Sequence, residues 1–254
     1  MQTGRCWSSR LATILALIFF LMGTPLYADH VVPIYTYHTH APFMIGPDQG
    51  LSFDLAIYLE EKSEGKYRFV VSPMSRLRLN KEIAEHEVII VPWVNPAWFR
   101  DIDEKKYSWT SASVMEDGNA LVSHKDNPIV YEGPTSLDNR VLGGVSGHLY
   151  AEIDSYIAAT GKIRRVNADN HRQNFIKLSK RRIDATITPR SGALYLIKKE
   201  GFEDQLFLSP KPHSRYQRKL MIPGRDPELM TWLNRVISDM ASDPGWQKIL
   251  KKYH

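Results

Sequence analysis

The sequence predicts an α/β fold made of two lobes, each of roughly 100 residues. The first observation is that strand-like and helix-like segments alternate along the chain, as they do around a mostly parallel sheet. The second is that residues 88–91 (VIIV) form a continuous apolar run, which is typical of a strand covered on both faces. The third is that the alternation restarts at residues 141–145 (VLGGV), so a second lobe is expected there.

Composition excludes several other classes of protein. The chain has 254 residues, of which 43% are hydrophobic and 24% are charged. This balance indicates a folded globular protein rather than a disordered or fibrous one. Cys6 is the only cysteine, which excludes a disulfide within the chain and a cysteine-based zinc site.

Residues 1–28 have the layout of a secretory signal peptide. Arg5 and Arg10 precede the apolar run 11–23, and Ala28 is a small residue at the expected cleavage point. The run is shorter than the about 20 residues of a membrane span, and a retained N-terminal anchor is the alternative. Cleavage leaves a net charge of +3, too small and too scattered to indicate a nucleic-acid partner. The mature protein is therefore expected to be soluble and exported, to the periplasm in a Gram-negative host.

The first lobe begins with a predicted strand at residues 31–37 and a predicted helix at residues 50–62. Leu51 and Leu55 lie on one face of that helix, and Ser52 is its expected N-cap. The other elements of this half are short and are bounded by polar or turn residues. They are a strand at 67–71, a helix at 77–87 and the apolar strand at 88–91.

The second lobe repeats the pattern. The strand at 141–145 is followed by a glycine-containing turn and a helix at 150–159. Apolar spacing predicts further strands at 162–166 and 184–188, and further helices at 172–180 and 191–199. Near the C-terminus, Leu229, Leu233 and Val236 share one face of an amphipathic helix, and a short helix at 246–252 follows it.

Five sequence phrases, in the same order along the chain, resemble those of the extracellular solute-binding proteins of family 3, the amino-acid-type periplasmic binding proteins. They lie at residues 35–43 (YTYHTHAPF), 50–55 (GLSFDL), 141–150 (VLGGVSGHLY), 174–185 (NFIKLSKRRIDA) and 239–253 (DMASDPGWQKILKKY). Each phrase is short, but together they span about 220 residues. The resemblance therefore covers nearly all of the chain after the predicted signal peptide.

The resemblance implies a two-lobed periplasmic binding protein-like fold with two crossover strands and a ligand cleft between the lobes. Lobe one is expected at residues 29–120 and 211–254, and lobe two at residues 121–210. The crossover strands are expected near residues 118–123 and 205–209. The implied function is capture of a ligand by closure of the two lobes about a hinge.

The turn after residues 141–145 supplies candidate ligand contacts. Ser146, Gly147 and His148 follow a strand and are expected to open a helix, where free backbone N–H groups and the helix dipole suit an anion. Gly147 would allow a ligand to approach closely. A plain connecting turn is the alternative that the residues alone leave open.

The matching phrases contain further candidates. The resemblance implies ligand contacts at Tyr37, Phe43 and Asn174. His38 is expected to form a hydrogen bond in the cleft or to be an ordinary loop histidine. His38 and His40 share one side of an extended segment, but the motif contains no third ligand. Neither a metal site nor a cofactor is therefore predicted.

Arg76 and Arg78 follow the second strand of the first lobe. Arginine presents a planar fork that binds a carboxylate through two hydrogen bonds. Alternate residues do not both point into a cleft, so one of the two is expected to be an ordinary surface arginine. Arg76 is the predicted ligand contact.

The segment at residues 92–99 (PWVNPAWF) follows the predicted buried strand, where α/β sheets place their sites. Trp93 is expected to face the cleft as an aromatic wall, and Asn95 to make a polar contact. The position of Trp98 stays open. Packing of a long loop against lobe one is the alternative for the whole segment.

The chain departs from the family pattern at two positions. The family carries an acid, which holds the ammonium group of the ligand, five residues after the aspartate that matches Asp184. Pro189 stands there in this chain. The usual carboxylate-binding arginine phrase is also missing, and Arg100 lies near that spacing in a different phrase (NPAWFRD). These departures argue against a standard α-amino acid as the ligand.

Three functions are compatible with the sequence. The leading hypothesis is a monomeric periplasmic protein that binds a small polar solute, amino-acid-like or another small carboxylate, for an ABC permease or a membrane sensor kinase. The second is a dehydratase-type enzyme on the same scaffold. His38, His148 and Glu152 are its candidate acids and bases, but no triad spacing supports them and no catalytic residue is predicted. The third is an adaptor that has lost its ligand, which Pro189 favours.

Overall fold

The computed structural model describes residues 30–86 and 88–253. The predicted signal peptide, its cleavage point at Ala28 and Cys6 lie outside these residues. Within them, no helix combines the length and the apolar character that crossing a membrane requires.

Strands and helices alternate as the sequence predicts. The strands are β1 (His30–Thr36), β2 (Tyr67–Pro73), β3 (Val91–Val94), β4 (Ser108–Trp109), β5 (Met115–His124), β6 (Val141–Val145), β7 (Arg164–Ala168), β8 (Ala185–Pro189), β9 (Leu206–Leu208) and β10 (Ser214–Ile222). The α-helices are α1 (Leu51–Lys62), α2 (Arg76–Glu85), α3 (Ala151–Thr160), α4 (His171–Ser179), α5 (Arg190–Lys199), α6 (Pro227–Met240) and α7 (Pro244–Leu250). Short 3₁₀ helices occupy Pro96–Phe99 and Pro134–Leu137.

Lobe one is built on strands in the order β2, β1, β3 and β10. β1 and β2 are parallel, and β10 runs antiparallel to both β3 and β4. β1 is joined to the start of β3 through Ile90. The Tyr35 N–H donates to the Ile90 carbonyl at 2.9 Å, and the Ile90 N–H donates to the Pro33 carbonyl at 2.8 Å.

Lobe two is built on strands in the order β5, β8, β6 and β7. β6 is parallel to both β7 and β8, while β5 is antiparallel to β8. β9 pairs with the C-terminal part of β5. The parallel strands are joined by α3 and α4, which is the arrangement that strand–helix alternation predicts.

The lobes are connected by β5 and β10, which pair with each other. The first half of β10, from Ser214 to Arg218, pairs with the first half of β5. The second half of β10 pairs with β3 and β4 in lobe one. The expected crossover near residues 118–123 therefore lies within β5. The one expected near 205–209 is wrong, because that segment is β9, which pairs only with β5 among the described strands. The full limits of the two lobes stay a prediction.

Each lobe has its own apolar core. In lobe one, α1 and α6 cover the sheet, and α6 packs through the predicted amphipathic face. Its buried residues are Leu229, Leu233, Val236, Ile237 and Met240. In lobe two, one cluster gathers around Leu121, Leu142 and Ile153, and another around Phe175 and Leu178. Burial of these faces is the main driving force for each lobe to fold.

Two local expectations are wrong. Ser52 does not cap α1. The residue before the helix is Gly50, and the Ser52 hydroxyl is buried, where it accepts a hydrogen bond from the Trp93 Nε1–H at 2.9 Å. The apolar run at 88–91 is also not the strand itself. β3 starts at Val91, so Trp93 belongs to the strand and not to a loop.

Gly50 fixes the loop that connects β1 to α1. Its φ of 127° is in a region that favours glycine, and an added Cβ would lie 2.5 Å from the Phe43 carbonyl oxygen. The Leu51 and Ser52 N–H groups donate to the carbonyls of Pro42 and Phe43. The first turn of α1 thus holds in place the part of the loop that contains Pro42 and Phe43.

Gly50→Ala tests this close approach, and Gly133→Ala is its matched control. Gly133 has a similar φ of 133°, but an added Cβ there meets no atom within 4 Å. Both variants are expected to lose about 1–3 kcal/mol of unfolding free energy through backbone strain. Gly50→Ala is expected to lose a further ~1–3 kcal/mol through the clash. Urea unfolding measures both, and equal losses would contradict this account of the loop.

Candidate functional site

A cavity of about 420 Å³ lies between the two lobes. Lobe one contributes the segment after β1 and the 3₁₀ helix that carries Trp98, and lobe two contributes the segments after β6 and β7 and the C-terminal end of β8. The connecting strands β5 and β10 form part of the wall. The cavity is therefore assembled from both lobes and from the connection between them, and we call it the cleft.

Arg218 of β10 is the buried cation of the cleft. Its side chain is only 1% exposed, and its Nε donates to the Asp117 Oδ2 at 2.9 Å. Its Nη1 donates to the Trp93 carbonyl at 2.8 Å, and its Nη2 donates to the Tyr216 hydroxyl at 3.2 Å. The guanidinium also lies 4.7 Å from the centre of the Phe43 ring. A buried charge requires such partners, because it has lost its water.

Asp117 of β5 extends this network into lobe two. Its Oδ2 accepts from the Ser191 hydroxyl at 2.7 Å, and its Oδ1 accepts from the Ser191 N–H at 3.2 Å. Ser191 is in the first turn of α5. The Arg218–Asp117 pair thus joins both connecting strands, lobe one through Trp93 and lobe two through Ser191. The pair also leaves the floor of the cleft without net charge.

Trp93 has a backbone conformation that is rare for a large side chain. Its φ is 66°, in the left-handed region. This conformation accompanies a carbonyl that accepts from the Arg218 Nη1. The indole is fully buried in the lobe-one core. The prediction that Trp93 faces the cleft is therefore wrong, and Trp98 is the tryptophan that lines it.

Four histidines form a continuous row along the cleft, which we call the histidine row. His38 and His40 belong to lobe one, and His148 and His171 belong to lobe two. The ring centres of His38 and His40 are 5.8 Å apart, those of His40 and His171 are 5.9 Å apart, and those of His171 and His148 are 5.5 Å apart. Lobe one and lobe two meet at the His40–His171 contact.

The histidine row is uncharged at neutral pH. Burial lowers the pKa of His40 to about 4 and that of His171 to about 3. Burial, with a smaller effect of Arg218, holds the pKa of His38 well below its usual value. Burial and then Arg165 lower the pKa of His148. All four imidazoles therefore keep a nitrogen lone pair available.

Several of these nitrogens have no partner among the described residues. They are Nε2 of His38 and both ring nitrogens of His171. The Nδ1 of His40, by contrast, lies 2.9 Å from the Ala41 carbonyl, to which it donates. Unpaired buried polar atoms are costly, so their position beside a cavity points to a bound molecule.

The row is not arranged as a metal centre. In residues 30–86 and 88–253, no group of three or more histidine, cysteine, aspartate or glutamate side chains is placed to hold a metal ion. The imidazoles follow one another along the cleft instead of converging on a single point.

Three of the predicted site residues line the cleft: Tyr37, His38 and His148. Their roles as ligand contacts stay a prediction. Phe43 lies just below the cleft, where it is fully buried against His38 and Arg218. It supports the floor and does not line the cavity.

Ser146 and Gly147 do not open a helix as predicted. α3 begins at Ala151, and the Ser146 N–H donates to the Ala168 carbonyl at 2.9 Å at the end of the sheet. Both residues are exposed, and neither lines the cleft. The turn places His148 in the cleft, while Arg165 donates to the His148 carbonyl at 2.7 Å and holds the turn in place.

Asn174 is also not in the cleft. It is fully buried on α4, and its Nδ2 donates to the Gly144 carbonyl at 2.7 Å. The glycine at 143 leaves room for this contact, because an added Cβ would lie 2.9 Å from the Asn174 Oδ1. Asn174 therefore anchors α4 to β6.

Arg76 and Asn95 have structural contacts outside the cleft. The Arg76 Nη2 donates to the Trp98 carbonyl at 2.8 Å, and its guanidinium lies 4.0 Å from the centre of the Phe99 ring. It lines a separate hollow on lobe one. Asn95 accepts from the Ala97 N–H, which caps the 3₁₀ helix, and donates to the Gln217 carbonyl. Arg78 is exposed and pairs with Glu82.

Several residues that line the cleft were not predicted as ligand contacts. They are His40, Trp98, Asn119, Leu149, His171, Tyr216 and Arg218. Residues 214–219 (SRYQRK) are polar except for Tyr216 and have no strand-like alternation, so the sequence did not indicate that β10 passes the cleft. Pro189 does line the cleft, so the position at which the family carries an acid faces the cavity without a charge.

No family model matches the chain, and no curated protein sequence matches it. Several solved structures do match the chain. An ancestral arginine-binding protein bound to arginine has a TM-score of 0.66 and 18% identity, over 89% of this chain and 99% of that chain. The Bordetella pertussis BvgS periplasmic VFT2 domain has a TM-score of 0.60 and 19% identity, over 99% of this chain and 100% of that one.

The ancestral amino acid-binding protein AncCDT-1, a precursor of cyclohexadienyl dehydratase, has a TM-score of 0.64 and 18% identity, over 96% of this chain and 99% of that chain. These likenesses show that the chain has the two-lobed fold of the periplasmic binding proteins. The particular neighbours are amino-acid-binding proteins and a periplasmic domain, of the type that the sequence phrases resemble.

Asp117→Asn tests the buried ion pair. The change keeps the shape of the side chain but leaves Arg218 buried without a counter-charge, so the unfolding free energy is expected to fall by about 3–5 kcal/mol. Glu132→Gln is the control. It removes a charge from the exposed Glu132–Lys211 pair and is expected to cost less than ~1 kcal/mol. Chemical unfolding of both variants measures the difference, and similar losses would show that the pair does not support the cleft.

Proposed function

We propose that the protein is a periplasmic solute-binding protein that closes its two lobes on a small polar ligand. One observation carries this proposal: unpaired buried ring nitrogens of His38 and His171 lie beside a cavity that both lobes enclose. A ligand with hydrogen-bonding groups would satisfy them. The fold supports the proposal, because two lobes joined by paired strands close around ligands by hinge motion.

The cleft favours a ligand different from a standard zwitterionic amino acid. No unpaired carboxylate lines the cavity among the described residues, since Asp117 is bound to Arg218 and Pro189 is uncharged. Tyr37, Trp98 and Tyr216 offer ring faces to an apolar or aromatic part of the ligand. An amino-acid-like molecule or another small carboxylate of this shape is the proposed class.

The proposed setting is the periplasm, after cleavage of the signal peptide near Ala28. A monomer would present its closed form to an ABC permease or to a membrane sensor kinase. The solved neighbours support both choices, because they include the substrate binding protein of an amino acid ABC transporter and the periplasmic VFT2 domain of BvgS, a sensor kinase domain. Nucleic acid is not a proposed partner.

The enzyme hypothesis has weaker support. Of its candidates, His38 and His148 line the cleft, but Glu152 does not. The Glu152 carboxylate accepts from the Tyr131 hydroxyl at 2.6 Å instead. The ancestral neighbour related to cyclohexadienyl dehydratase is itself an amino-acid-binding protein. The adaptor hypothesis rests on Pro189 alone, whereas the unpaired imidazoles favour a ligand.

A thermal-shift screen of residues 29–254 tests the proposed function. The panel comprises amino acids, small carboxylates, amines, sugars and divalent metals at pH 7.5. A ligand at 100 times its Kd stabilises the fold by about 2.7 kcal/mol, which shifts the melting temperature by a few degrees. Hits within one chemical class would support solute binding. No shift with any member of the panel would contradict it and favour the adaptor.

Leu149→Ala locates the binding surface, and Leu77→Ala is its matched control. Leu149 is 88% exposed and lines the cleft, while Leu77 is 72% exposed on α2, outside it. Neither variant is expected to change unfolding stability appreciably. Loss of the apolar contact should weaken a ligand found in the screen by about 5–30-fold only for Leu149→Ala. Calorimetric titration measures this, and equal affinities of the two variants would exclude the cleft.

A further inference from the structure

We propose that the histidine row makes closure of the two lobes dependent on pH, so that acid opens the cleft. This inference rests on the proposed function, because it assumes that the lobes move about a hinge. It concerns the regulation of that site and not the identity of the ligand.

The row is continuous only because the two lobes are in contact. His40 from lobe one and His171 from lobe two are in ring contact at 5.9 Å. Next to them, the Ala41 carbonyl approaches α5 so closely that a Cβ added to Gly192 would lie 3.0 Å from it. Separation of the lobes would break this contact and expose both imidazoles to water.

Charged groups surround the row on every side. The cations that face it or line the adjoining cavities are Arg76, Arg165, Arg172, Lys199 and Arg218. The acids in the same surroundings are Asp117, Asp154 and Glu200. The neighbouring tyrosines are Tyr37, Tyr150, Tyr195 and Tyr216.

Each of the three acids is already paired with an arginine. Asp117 binds Arg218 at 2.9 Å, Asp154 binds Arg165 at 2.6 Å, and Glu200 binds Arg172 at 2.8 Å. No carboxylate of this set is free to balance a new positive charge. Protonation of the row would therefore place like charges side by side, next to Arg218.

The direction of the pH dependence follows from the two states. In the closed form the pKa of His40 is about 4 and that of His171 is about 3. In an open form, exposed histidines return towards the ordinary value of about 6.5. The open form thus binds protons more tightly. The preference for closure is complete above about pH 6.5 and is lost as the pH falls towards 4.

The test measures the distance between the lobes without a ligand. Residues 29–254 contain no cysteine, so Lys81→Cys on α2 and Ala158→Cys on α3 provide two unique labelling sites, both exposed. Energy transfer between the labels is followed from pH 7.5 to 4.5, with far-UV circular dichroism as the check on folding. We expect the distance to lengthen reversibly below pH 6.5 while the dichroism stays native.

The variant His40→Gln/His171→Gln removes the two central groups. At pH 5 it is expected to reduce the open-to-closed ratio by on the order of 10-fold for each histidine replaced. His30→Gln, at an exposed position of β1, is the control and should open like the parent. Constant distance in the parent, the same opening in the double variant, or opening that coincides with lost dichroism would each overturn the inference. The ligand screen at pH 7.5 tests the proposed function separately, so the two fail independently.

Discussion

The ion pair between Arg218 and Asp117 is the interaction on which the rest of the structure depends. It lies where the two connecting strands pair, and both side chains are 1% exposed. Such a pair is stable only when its remaining donors and acceptors are also satisfied. Arg218 therefore requires the Trp93 carbonyl, and Asp117 requires Ser191 at the start of α5. The contacts that replace water around this buried pair thus connect the floor of the cleft, the unusual backbone of β3 at Trp93 and the start of α5 in the other lobe.

Local patterns predicted most of the fold. Apolar spacing located α6 and its buried face from Leu229 to Met240, and the run at 141–145 matches β6. The site was harder to predict from the sequence, because it depends on the directions in which side chains point and not on their spacing along the chain. Trp93 has a positive φ, and its indole lies in the core. No pattern in the sequence predicts that backbone conformation. The place of Arg218 in the cleft was not predicted, because its partner, Asp117, is 101 residues away in the chain.

Within the described residues, the cleft offers a ligand aromatic and polar surfaces but no unpaired charge. Its walls are aromatic rings and neutral imidazoles, and its one buried cation is already balanced by Asp117. The walls therefore offer a ligand ring contacts and hydrogen bonds, and these must hold any charged group of the ligand in place of an opposite charge. Pro189 fits this chemistry, since an acid there would add a charge without a partner to the wall of the cavity.

The placement of Trp98 has an optical consequence. Trp93, Trp109 and Trp246 are buried in the lobe-one core, whereas the Trp98 ring borders the cleft. Its centre is 6.0 Å from that of His38 and 5.0 Å from that of Tyr216. Because an imidazolium quenches indole emission at close range, and a bound molecule would exclude water from the ring, Trp98 is an intrinsic fluorophore at the cavity wall. The protein carries its own spectroscopic reporter of cleft occupancy and of the protonation of His38.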